Sequence, residues 1–491
     1  MNSIFDKQNK VYMVGIKGTG MCAFAEILHK RGMSVSGSDT EETFYTDAIL
    51  QDLHIPYTQG FDASNVNRDA ALVIHSAAYN PLTNPELLQA AKLKIPVLKY
   101  TDALGAYSAM FDSSSISGVH GKTTTTAMTG LVARAMALEA QVLAGSAVGN
   151  FSPDINAPRC TLHLGDKYFI AETCEYRKHF MSFCPQQIVL TSVESDHQDF
   201  YPTYDSIRAA FVEFTHKLPK FGTLIYCSDD IGATEVMKLL KLDRPDVNFV
   251  PYGFNAEGLF KIQNYNCANG KNSFDIFLPP VKEALRISLQ VSGKHNALDA
   301  TAALALCCHL VIKEGGFPNE QQLQNAAAAL AAFKGSKRRQ EIIAERGGIL
   351  FIDDYAHHPT AIKTTLRGLK NFYKNRRIVV SFMSHTYTRT LNLLDDFAAS
   401  FSDADVLILH KIYPSAREAS PPQEENPSIK ENPSIKLFEK TKAQFCKEIF
   451  YYEEPLDALD FLKTFLKSGD LFLTMGAGDN WKLGVKLSAQ Y

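Results

Sequence analysis

Residues 117–124 combine two glycines, a lysine and a run of hydroxyl side chains, and they lead directly into an amphipathic helical pattern. This combination of residues is typical of a loop that binds the phosphates of a nucleoside triphosphate. Gly118 and Gly121 let backbone N–H groups approach phosphate, and the helix start adds a positive dipole end. Lys122 would supply a point charge, and Thr123 would place its hydroxyl on Mg²⁺. The alternative is a glycine turn before a threonine-rich helix, because two residues rather than four separate the glycines, and the preceding serines are less apolar than most buried strands.

A second glycine-rich turn lies near the amino terminus. The apolar strand predicted at residues 11–14 leads into Gly15, Gly18 and Gly20, an amphipathic helix follows, and the next strand ends at Asp39. This order predicts a Rossmann-like unit, although the glycine spacing is the reverse of the usual dinucleotide fingerprint. Two ligands fit the pattern: NAD with Asp39 on its ribose, or a nucleotide sugar held by the same N–H groups and the same acid.

A third strand is predicted at residues 71–74, and His75 and Ser76 follow it. The carboxyl ends of strands in such sheets face the ligand crevice, so Ser76 is a candidate ligand contact. A serine that caps the following turn explains the residue equally well on local grounds.

Acidic residues follow two strands downstream of the phosphate-binding segment. Glu172 and Glu175 follow one predicted strand, and His197 follows the next, at residues 188–191, after two further acids. Carboxylates at strand ends beside a phosphate loop hold Mg²⁺ in many phosphoryl-transfer enzymes, and His197 would ligate a second metal. A solvated strand end explains any one of these residues alone, but the combination with Lys122 favours a metal site.

The last third of the chain alternates predicted strands and helices, with polar residues after each strand. Asn296 opens a long alanine-rich helix, where it either caps the helix or contacts an adenine edge. Arg338 lies in a basic run that is either a solvated linker or a phosphate contact. Paired aspartates and paired histidines at 353–358 are difficult to satisfy in an apolar core. Residues 420–436 repeat a Glu-Asn-Pro-Ser-Ile-Lys unit, which predicts a surface insertion without chemistry of its own.

Length and composition restrict the class of protein. A chain of 491 residues predicts about three domains, and a net charge of −3 argues against nucleic acid as a partner. No apolar run approaches the ~20 residues of a membrane span, and the polar start is not a signal peptide. Nine cysteines without a C-x-x-C pair fit reduced thiols in the cytoplasm. We therefore expect a cytoplasmic protein that contacts neither nucleic acid nor membrane.

Taken in order, these motifs resemble one family, the Mur ligases of bacterial cell-wall synthesis. The resemblance extends over nearly the whole chain, from the glycine loop at 15–21 to the last strand. Its segments are GVHGKTTTT at 118–126, SGKHNALDA at 292–300, KRRQE at 337–341, DDYAHHPT at 353–360, HTYTRT at 385–390 and MGAGDN at 475–480.

The resemblance implies an α/β protein of three domains. Residues 1–106 would form a Rossmann-like domain that binds a UDP-sugar, residues 107–333 a central P-loop-type ATPase domain built on a parallel sheet, and residues 334–491 a second Rossmann-like domain with amino acid and ATP contacts. The implied reaction consumes ATP. Its γ-phosphoryl group activates the carboxylate of UDP-N-acetylmuramate as an acyl phosphate, and the amine of L-alanine then attacks. Mg²⁺ or Mn²⁺ would be required, and the protein would be a monomer or a homodimer.

The resemblance also implies roles for individual residues. The ATP contacts would be Gly118, His120, Gly121, Lys122, Thr123, Thr124, Asn296, Arg338, Asp354 and Tyr355. The metal ligands would be Thr123, Glu172 and His197. The UDP-sugar contacts would be Gly15, Gly18, Gly20, Met21, Asp39, His75 and Ser76. Lys122 and His197 would also act in catalysis, Arg389 would bind the amino acid carboxylate, and His357 would accept the proton of the amine.

Three other functions remain as alternatives. A recycling ligase of the same family would attach a whole peptide to the same nucleotide sugar, although HTYTRT at 385–390 resembles the alanine-adding type better. A non-catalytic nucleotide-binding protein would have no need for Lys122, Thr123, Glu172 and His197 together. An NAD-dependent oxidoreductase would use the first glycine loop and leave the second unexplained.

Overall fold

The computed structural model describes residues 2–154, 157–414 and 432–491. Its strands are β1 (Lys10–Val14), β2 (Ser34–Asp39), β3 (Tyr57–Gln59), β4 (Leu72–His75), β5 (Val97–Lys99), β6 (Asp112–Ser117), β7 (Ala140–Val148), β8 (Arg159–His163), β9 (Tyr168–Glu172), β10 (Gln187–Leu190), β11 (Thr223–Cys227), β12 (Asn248–Gly253), β13 (Phe260–Lys261), β14 (Gln263–Ala268), β15 (Lys271–Ile276), β16 (Leu285–Leu289), β17 (Glu341–Arg346), β18 (Ile349–Asp354), β19 (Arg377–Met383), β20 (Val406–Leu409), β21 (Glu448–Tyr451) and β22 (Asp470–Gly476).

The α-helices are α1 (Thr19–Lys30), α2 (Thr46–Asp52), α3 (Pro85–Lys92), α4 (Tyr100–Ser108), α5 (Lys122–Ala135), α6 (Tyr204–Thr215), α7 (Ile231–Asp243), α8 (Lys294–Lys313), α9 (Glu320–Ala331), α10 (Pro359–Phe372), α11 (Tyr387–Asn392), α12 (Leu394–Ala399), α13 (Pro433–Gln444), α14 (Leu459–Phe465) and α15 (Asn480–Ser488). Short 3₁₀ helices lie at Asn2–Phe5, Ala63–Asn65, Gly149–Phe151, Tyr176–Ser182 and Pro455–Ala458.

The first sheet has five parallel strands in the order β3-β2-β1-β4-β5. Val14 at the end of β1 lies beside Ser38 of β2 on one side and His75 of β4 on the other. The direction of the strand order reverses between β1 and β4, which is where open parallel sheets bind ligands. The glycine loop after β1 and Ser76 after β4 therefore share one crevice.

The central sheet has the order β13-β12-β11-β10-β6-β9-β7-β8, and only its edge strand β8 runs antiparallel to its neighbour. Serine-rich β6 lies in the middle of this sheet, although its sequence is less apolar than that of most buried strands. The serine hydroxyls are satisfied by neighbouring side chains: Ser115 and Ser117 lie 2.7 and 2.6 Å from the hydroxyl of Thr173, the residue directly after β9. A polar sequence can therefore form a central strand when its neighbours supply hydrogen-bond partners.

An antiparallel sheet, β14-β15-β16, shares an apolar core with α5, α8 and α9. Phe274, Ile287, Leu304 and Leu323 are fully buried in this core. Helix α8 is the one helix in the described ranges that is long and apolar enough to cross a membrane. Its apolar side chains pack inside the protein instead, as expected for a core helix.

The last sheet has the order β17-β18-β22-β19-β20-β21, and β17 runs antiparallel to β18. Asp354 at the end of β18 lies beside Met475, and Met383 at the end of β19 lies beside Gly476. Three of the motifs singled out from the sequence thus meet at one edge of this sheet. The predicted α/β fold with parallel-sheet cores is confirmed.

The repeated hexapeptide is only partly described, because residues 415–431 lie outside the described ranges. The second copy begins helix α13, where the Asn432 side chain accepts a hydrogen bond from the Ser434 N–H at 2.9 Å. Ser434 is buried, and its hydroxyl accepts from the Ile412 N–H at 3.0 Å. This copy therefore begins an anchored helix, in which Ser434 is buried while Ile435 and Lys436 stay exposed, as expected for a surface segment.

Candidate active site

The phosphate-binding segment forms a tight loop between β6 and α5. Gly118 and Gly121 have φ values of +140° and +82°, in the region that favours glycine. A Cβ at Gly118 would lie 2.1 Å from the Thr191 hydroxyl, and one at Gly121 would lie 2.5 Å from Asp299 Oδ1. Both positions therefore require glycine, for conformation and for space.

Lys122, the first residue of α5, folds back over this loop. Its ammonium donates to the carbonyls of Gly118 and Val119 and to Glu175 Oε2, the last at 2.8 Å. Burial disfavours the charged form, but the carboxylates of Glu175 and Glu172 and the nearby Cys174 outweigh it, so the pKa of Lys122 lies above its ordinary value. Lys122 is therefore a permanent cation at the loop, as a phosphate contact requires.

Glu172 ends β9, which is next to β6 in the central sheet. Its Oε2 atom is buried and has no hydrogen-bond partner in the described part of the chain. Gly145 lies so close that a Cβ there would be 1.6 Å from Glu172 Oε1. A confined carboxylate with an unsatisfied buried oxygen fits a cation ligand, and with the buried Thr123 at the start of α5 it forms an oxygen donor set that suits Mg²⁺.

His197, the third predicted metal ligand, lies beside the Lys122–Glu175 ion pair. Its Nε2 atom is 3.4 Å from Glu175 Oε1, and its ring lies 4.7 Å from that of Tyr176. Burial disfavours the ionised form of Glu175, but Lys122 and His197 outweigh it and hold the Glu175 pKa below its ordinary value. Glu175 thus connects the phosphate loop to His197.

Asp196, the residue before His197, connects the cluster of Lys122, Glu175 and His197 to the third domain. Its Oδ1 atom accepts from Arg389 Nε at 2.9 Å and Nη2 at 2.8 Å. Both residues are only 6% or less exposed, so the pair is shielded from solvent. The sequence had placed Arg389 at the amino acid, and the structure places it at the junction of the second and third domains.

His357 follows β18 on the third-domain side of the same junction. Because a carbonyl can only accept, the 2.8 Å contact with the Tyr355 carbonyl places the proton on Nδ1 and leaves Nε2 as an acceptor. Burial, with the nearby charge of Arg389, holds the His357 pKa well below its ordinary value. The imidazole is therefore neutral at physiological pH, as a proton acceptor must be.

The predicted nucleotide contacts of the third domain surround one aromatic ring. The Tyr355 ring has the guanidinium groups of Arg338 and Arg339 at 5.0 and 5.2 Å. Arg338 also donates to Asp353 at 3.0 Å and to the carbonyl of Gly476 at 2.9 Å, so it is fixed against the strand ends. These contacts orient Arg338 and Tyr355 together.

The other two predicted nucleotide contacts make local hydrogen bonds. Asp354 accepts from the N–H groups of Gln340 and Ala356, at 2.9 and 2.8 Å. The Asn296 amide donates to the Ser292 carbonyl at 2.6 Å, whereas a helix cap would accept from a backbone N–H, and the start of α8 has no side-chain cap. Both side chains therefore shape the backbone around the site.

His120 lies at the same junction but on the phosphate loop. It pairs with Glu194, which also accepts from the Thr360 hydroxyl at 3.1 Å and lies 3.3 Å from His358 Nδ1. Burial disfavours the ionised form of Glu194, but His120 outweighs it and keeps the Glu194 pKa below its ordinary value. Glu194 therefore connects the phosphate loop to the start of α10.

The first glycine loop is braced by Asp39. This buried carboxylate accepts from the Lys17 N–H at 2.7 Å and the Tyr79 hydroxyl at 3.0 Å. A Cβ at Gly15 would lie 2.9 Å from Ser76 Cβ, so the loop and Ser76 are in close contact. Asp39 therefore positions the loop, whichever ligand it also contacts.

The remaining first-domain candidates divide between the crevice and the core. Gly18, Gly20 and Ser76 line a cavity. Met21 also contributes to the cavity wall, although this residue is only 3% exposed. His75 is buried under Ser76, and its Nδ1 lies 3.0 Å from the Ser76 carbonyl. His75 is thus a supporting residue of the crevice floor.

A cavity of about 420 Å³ joins the two glycine loops. Gly18, Gly20 and Ser76 line it on the first-domain side, and Lys122 and Glu172 line it on the central side. A ligand that lies on the first loop can therefore extend to the phosphate loop without leaving the protein.

Two residues at this site, Glu194 and Asp196, were not assigned individual roles from the sequence, and Glu175 was considered only as a strand-end carboxylate for a metal. All three follow central strands, and that position was the available signal. Their partners Lys122, His358 and Arg389 lie elsewhere in the chain, so the pairings themselves could not be seen.

This arrangement defines a class of protein: an α/β protein of four sheets in which the loop before Lys122 faces a second glycine-loop crevice across a shared cavity. Known proteins of this class match the chain closely. Residues 10–112 match the Mur ligase family catalytic domain, residues 116–307 the Mur ligase middle domain, and residues 338–478 the Mur ligase glutamate ligase domain. The chain belongs to the Mur ligase family, as its motifs predicted.

Two curated relatives match the chain over nearly its whole length. The UDP-N-acetylmuramate–L-alanine ligase of Treponema pallidum (strain Nichols) is 49% identical over 478 residues, which cover 97% of this chain and 96% of the relative. The ligase of the same name from Borreliella burgdorferi is 38% identical over 485 residues, 98% of each chain.

Solved structures share the fold. The UDP-N-acetylmuramate–alanine ligase of Thermotoga maritima aligns with a TM-score of 0.75 at 24% identity, over 98% of this chain and 99% of that one. The murein peptide ligase of Psychrobacter arcticus aligns with a TM-score of 0.66 at 22% identity, over 98% of each chain.

Proposed function

We propose that this protein joins L-alanine to the carboxylate of UDP-N-acetylmuramate, with ATP converted to ADP and phosphate, in the synthesis of peptidoglycan precursors. The observation that supports this most directly is the cavity shared by the two glycine loops. It allows a nucleotide sugar on the first loop to present its acid beside Lys122, where the γ-phosphate of ATP would lie. We also propose a cytoplasmic location, and the choice between monomer and homodimer remains a prediction.

The first step transfers the γ-phosphoryl group of ATP to the muramoyl carboxylate and releases ADP. Lys122 and the backbone N–H groups between Gly118 and Gly121 hold the phosphates in place, which is mainly positioning and charge stabilisation. Glu175 and the loop carbonyls orient the Lys122 ammonium for this role.

The residues present fit a bound Mg²⁺ or Mn²⁺. Thr123 and Glu172 would hold the ion, with His197 near a second position. When bound, the metal supplies positive charge against the phosphate oxygens. The unsatisfied Glu172 Oε2 atom supports this assignment.

The second step forms the amide bond. The L-alanine amine attacks the acyl phosphate carbonyl, and the tetrahedral intermediate expels phosphate. Arg389 would bind the alanine carboxylate: three of its five N–H donors meet Asp196 and the His385 carbonyl, and the described residues leave the other two for a ligand. His357 would accept the amine proton at Nε2, the nitrogen that its Nδ1 hydrogen bond leaves free to accept.

Phosphate release tests the proposed reaction. The full-length protein is given ATP, Mg²⁺ and UDP-N-acetylmuramate, with and without L-alanine. We expect phosphate release that depends on both the nucleotide sugar and L-alanine, with a product heavier than the nucleotide sugar by one alanine residue in mass spectrometry. Release that requires a tripeptide instead of L-alanine would identify a recycling ligase, and no release under any condition would contradict catalysis.

A further inference from the structure

A lysine and a histidine in the shared cavity have no role in the reaction as described. Lys99 lies at the end of β5 in the first domain, and His179 lies in the 3₁₀ helix Tyr176–Ser182 of the central domain. Both line the cavity between the first glycine loop and Lys122, and the Lys99 Nζ atom lies 3.3 Å from His179 Nε2. The two domains therefore contribute one residue each to a single polar group.

The packing of the two domains fixes this pair. Helix α4 begins directly after Lys99 and lies against the turn that contains His179. A Cβ at Gly105 would be only 2.1 Å from the Ser182 carbonyl oxygen, and the Ser182 hydroxyl donates to Asp102 at 2.8 Å. The contact between Lys99 and His179 is thus built into the interface rather than made by two mobile side chains.

The backbone of the turn is strained immediately before His179. Arg177 and Lys178 are consecutive non-glycine residues with φ values of +51° and +56°. Residues with a Cβ are disfavoured in this left-handed region. Strain of this kind is concentrated where a side chain must take a defined position, and here the position is opposite Lys99.

We propose that Lys99 and His179 recognise the muramoyl carboxylate and thereby select the acid-bearing nucleotide sugar. The identity of the acid rests on the proposed function. An ammonium has three donors, and His179 is the one side-chain partner of Lys99 that the described residues provide, so donors remain for an anion. The helix start at Thr19 would take the diphosphate of the nucleotide sugar, and Lys122 would take the phosphates of ATP. The carboxylate is then the remaining anion, and Lys99 and His179 line the cavity that it shares with Lys122.

The site would select nucleotide sugars that carry the acid, because any other ligand would leave the Lys99 ammonium without an anionic partner. A nucleotide sugar without the lactyl acid would bring an uncharged hydroxyl or no group at all to Lys99, and the partly buried ammonium would lose water without gaining an anion. Sites that require a charged partner reject analogues lacking it far better than apolar pockets reject a missing methyl group.

Calorimetric binding to the full-length protein tests the inference with three probes: UDP-N-acetylmuramate, UDP-N-acetylglucosamine, which lacks the acid, and UDP. The variants are Lys99→Met, His179→Gln and the charge-preserving Lys99→Arg. Lys178→Met is the matched control, because Lys178 lies in the same turn but pairs with Glu213 at the surface. The thermal midpoint and ATP binding of each variant report whether it is folded.

We expect Lys99→Met to weaken UDP-N-acetylmuramate binding by about 10- to 100-fold, the usual range for a hydrogen bond to a charged group. We expect a smaller loss in His179→Gln, partial recovery in Lys99→Arg, and no change in Lys178→Met. Binding of the other two probes should change less than about twofold.

An equal loss for all three probes would overturn the inference and place Lys99 at the diphosphate. Unchanged binding of UDP-N-acetylmuramate by a folded Lys99→Met protein would overturn it as well. Acid-selective binding that depends on Lys99, in a protein that releases no phosphate with L-alanine, would support the inference and contradict the proposed function.

Discussion

Arg389 of the third domain and Asp196 of the central domain form a buried ion pair, with the guanidinium Nε and Nη2 atoms 2.9 and 2.8 Å from Asp196 Oδ1. Burial disfavours the charged carboxylate, but Arg389 outweighs it and holds the Asp196 pKa far below its ordinary range. Asp196 is adjacent to His197, which contacts the Glu175–Lys122 pair. A continuous series of polar contacts therefore connects the phosphate loop to the residue proposed to bind the amino acid.

Arg389→Ala should raise the Michaelis constant for L-alanine far more than those for ATP and UDP-N-acetylmuramate. The fork of Arg389 would hold the alanine carboxylate and aim its amine, which is positioning rather than bond-making. Steady-state kinetics with each substrate varied in turn measure the effect.

The control for this experiment is Arg389→Lys, which keeps the charge and loses the fork, so its alanine constant should also rise. Removing one partner of a buried pair costs about 3–5 kcal/mol, and thermal unfolding must show that each variant is folded at the assay temperature. An unchanged alanine constant in a folded variant would remove Arg389 from the amino acid site.

Lys122→Ala should lower turnover by ~10²-fold or more, the size of effect seen when one preorganised electrostatic donor is lost. The lysine contacts the loop carbonyls and Glu175, and its pKa lies above the ordinary value, so its charge is present throughout the neutral range. Phosphate release is the measurement, and Lys92→Ala, an exposed lysine at the end of α3, is the control. Near-normal turnover of folded Lys122→Ala would show that the loop does not bind phosphate.

Glu172→Gln should increase the Mg²⁺ concentration needed for half-maximal activity by at least ~10-fold, because replacing an anionic oxygen ligand weakens a hard cation site. The fold should tolerate the change, since Glu172 Oε2 has no hydrogen bond to lose among the described residues. Activity titrated with Mg²⁺ at saturating ATP gives the result. The same Mg²⁺ requirement in the variant would argue that Glu172 is not a metal ligand.

The first domain should bind UDP-N-acetylmuramate and not NAD. The acid of the nucleotide sugar can reach Lys122 through the shared cavity, whereas NAD has no use for that connection. Calorimetry on the full-length protein is the appropriate measurement. An isolated first domain would expose an apolar cluster, since Phe24 and Tyr107 pack against each other at 5.3 Å and Tyr107 packs against Phe169 of the central sheet at 5.1 Å. Tight NAD binding without binding of the nucleotide sugar would reverse the assignment.

The sequence was sufficient for most of the parallel strands and for the loop after β1, because apolar strands followed by glycine turns have strong local signals. The loop after serine-rich β6 was identified instead from Gly118, Gly121 and Lys122 at the start of a helical pattern. Glu172 and His197 could be selected for the same reason, as polar residues at strand ends. The pairing of Arg389 with Asp196 spans 193 residues, and no local pattern reports a contact at that distance. Asp39 and Asn296 were assigned to ligands, but their hydrogen bonds to the Lys17 N–H and the Ser292 carbonyl depend on backbone geometry that only the folded chain shows.

Gly121→Ala should impair ATP use beyond its effect on stability. Gly121 has a φ of +82°, where an L-residue pays on the order of 1–2 kcal/mol, and the added Cβ would lie 2.5 Å from Asp299 Oδ1. Burial raises the pKa of Asp299 to about 8, and the Thr125 hydroxyl donates to the same oxygen at 3.1 Å, so this side chain cannot move without disturbing the first turn of α5.

Gly60→Ala separates the two effects of that substitution. Gly60 has a φ of +84°, but nothing lies within 4 Å of the position of its Cβ. Both variants should lose stability in chemical denaturation because an L-residue is disfavoured at positive φ, and Gly121→Ala should lose more because its Cβ also meets Asp299. Only Gly121→Ala should raise the Michaelis constant for ATP, because only there does the methyl group displace the residues that shape the phosphate loop. If Gly60→Ala raised that constant equally, backbone strain alone would explain the effect and the contact between Gly121 and Asp299 would have no part in nucleotide binding.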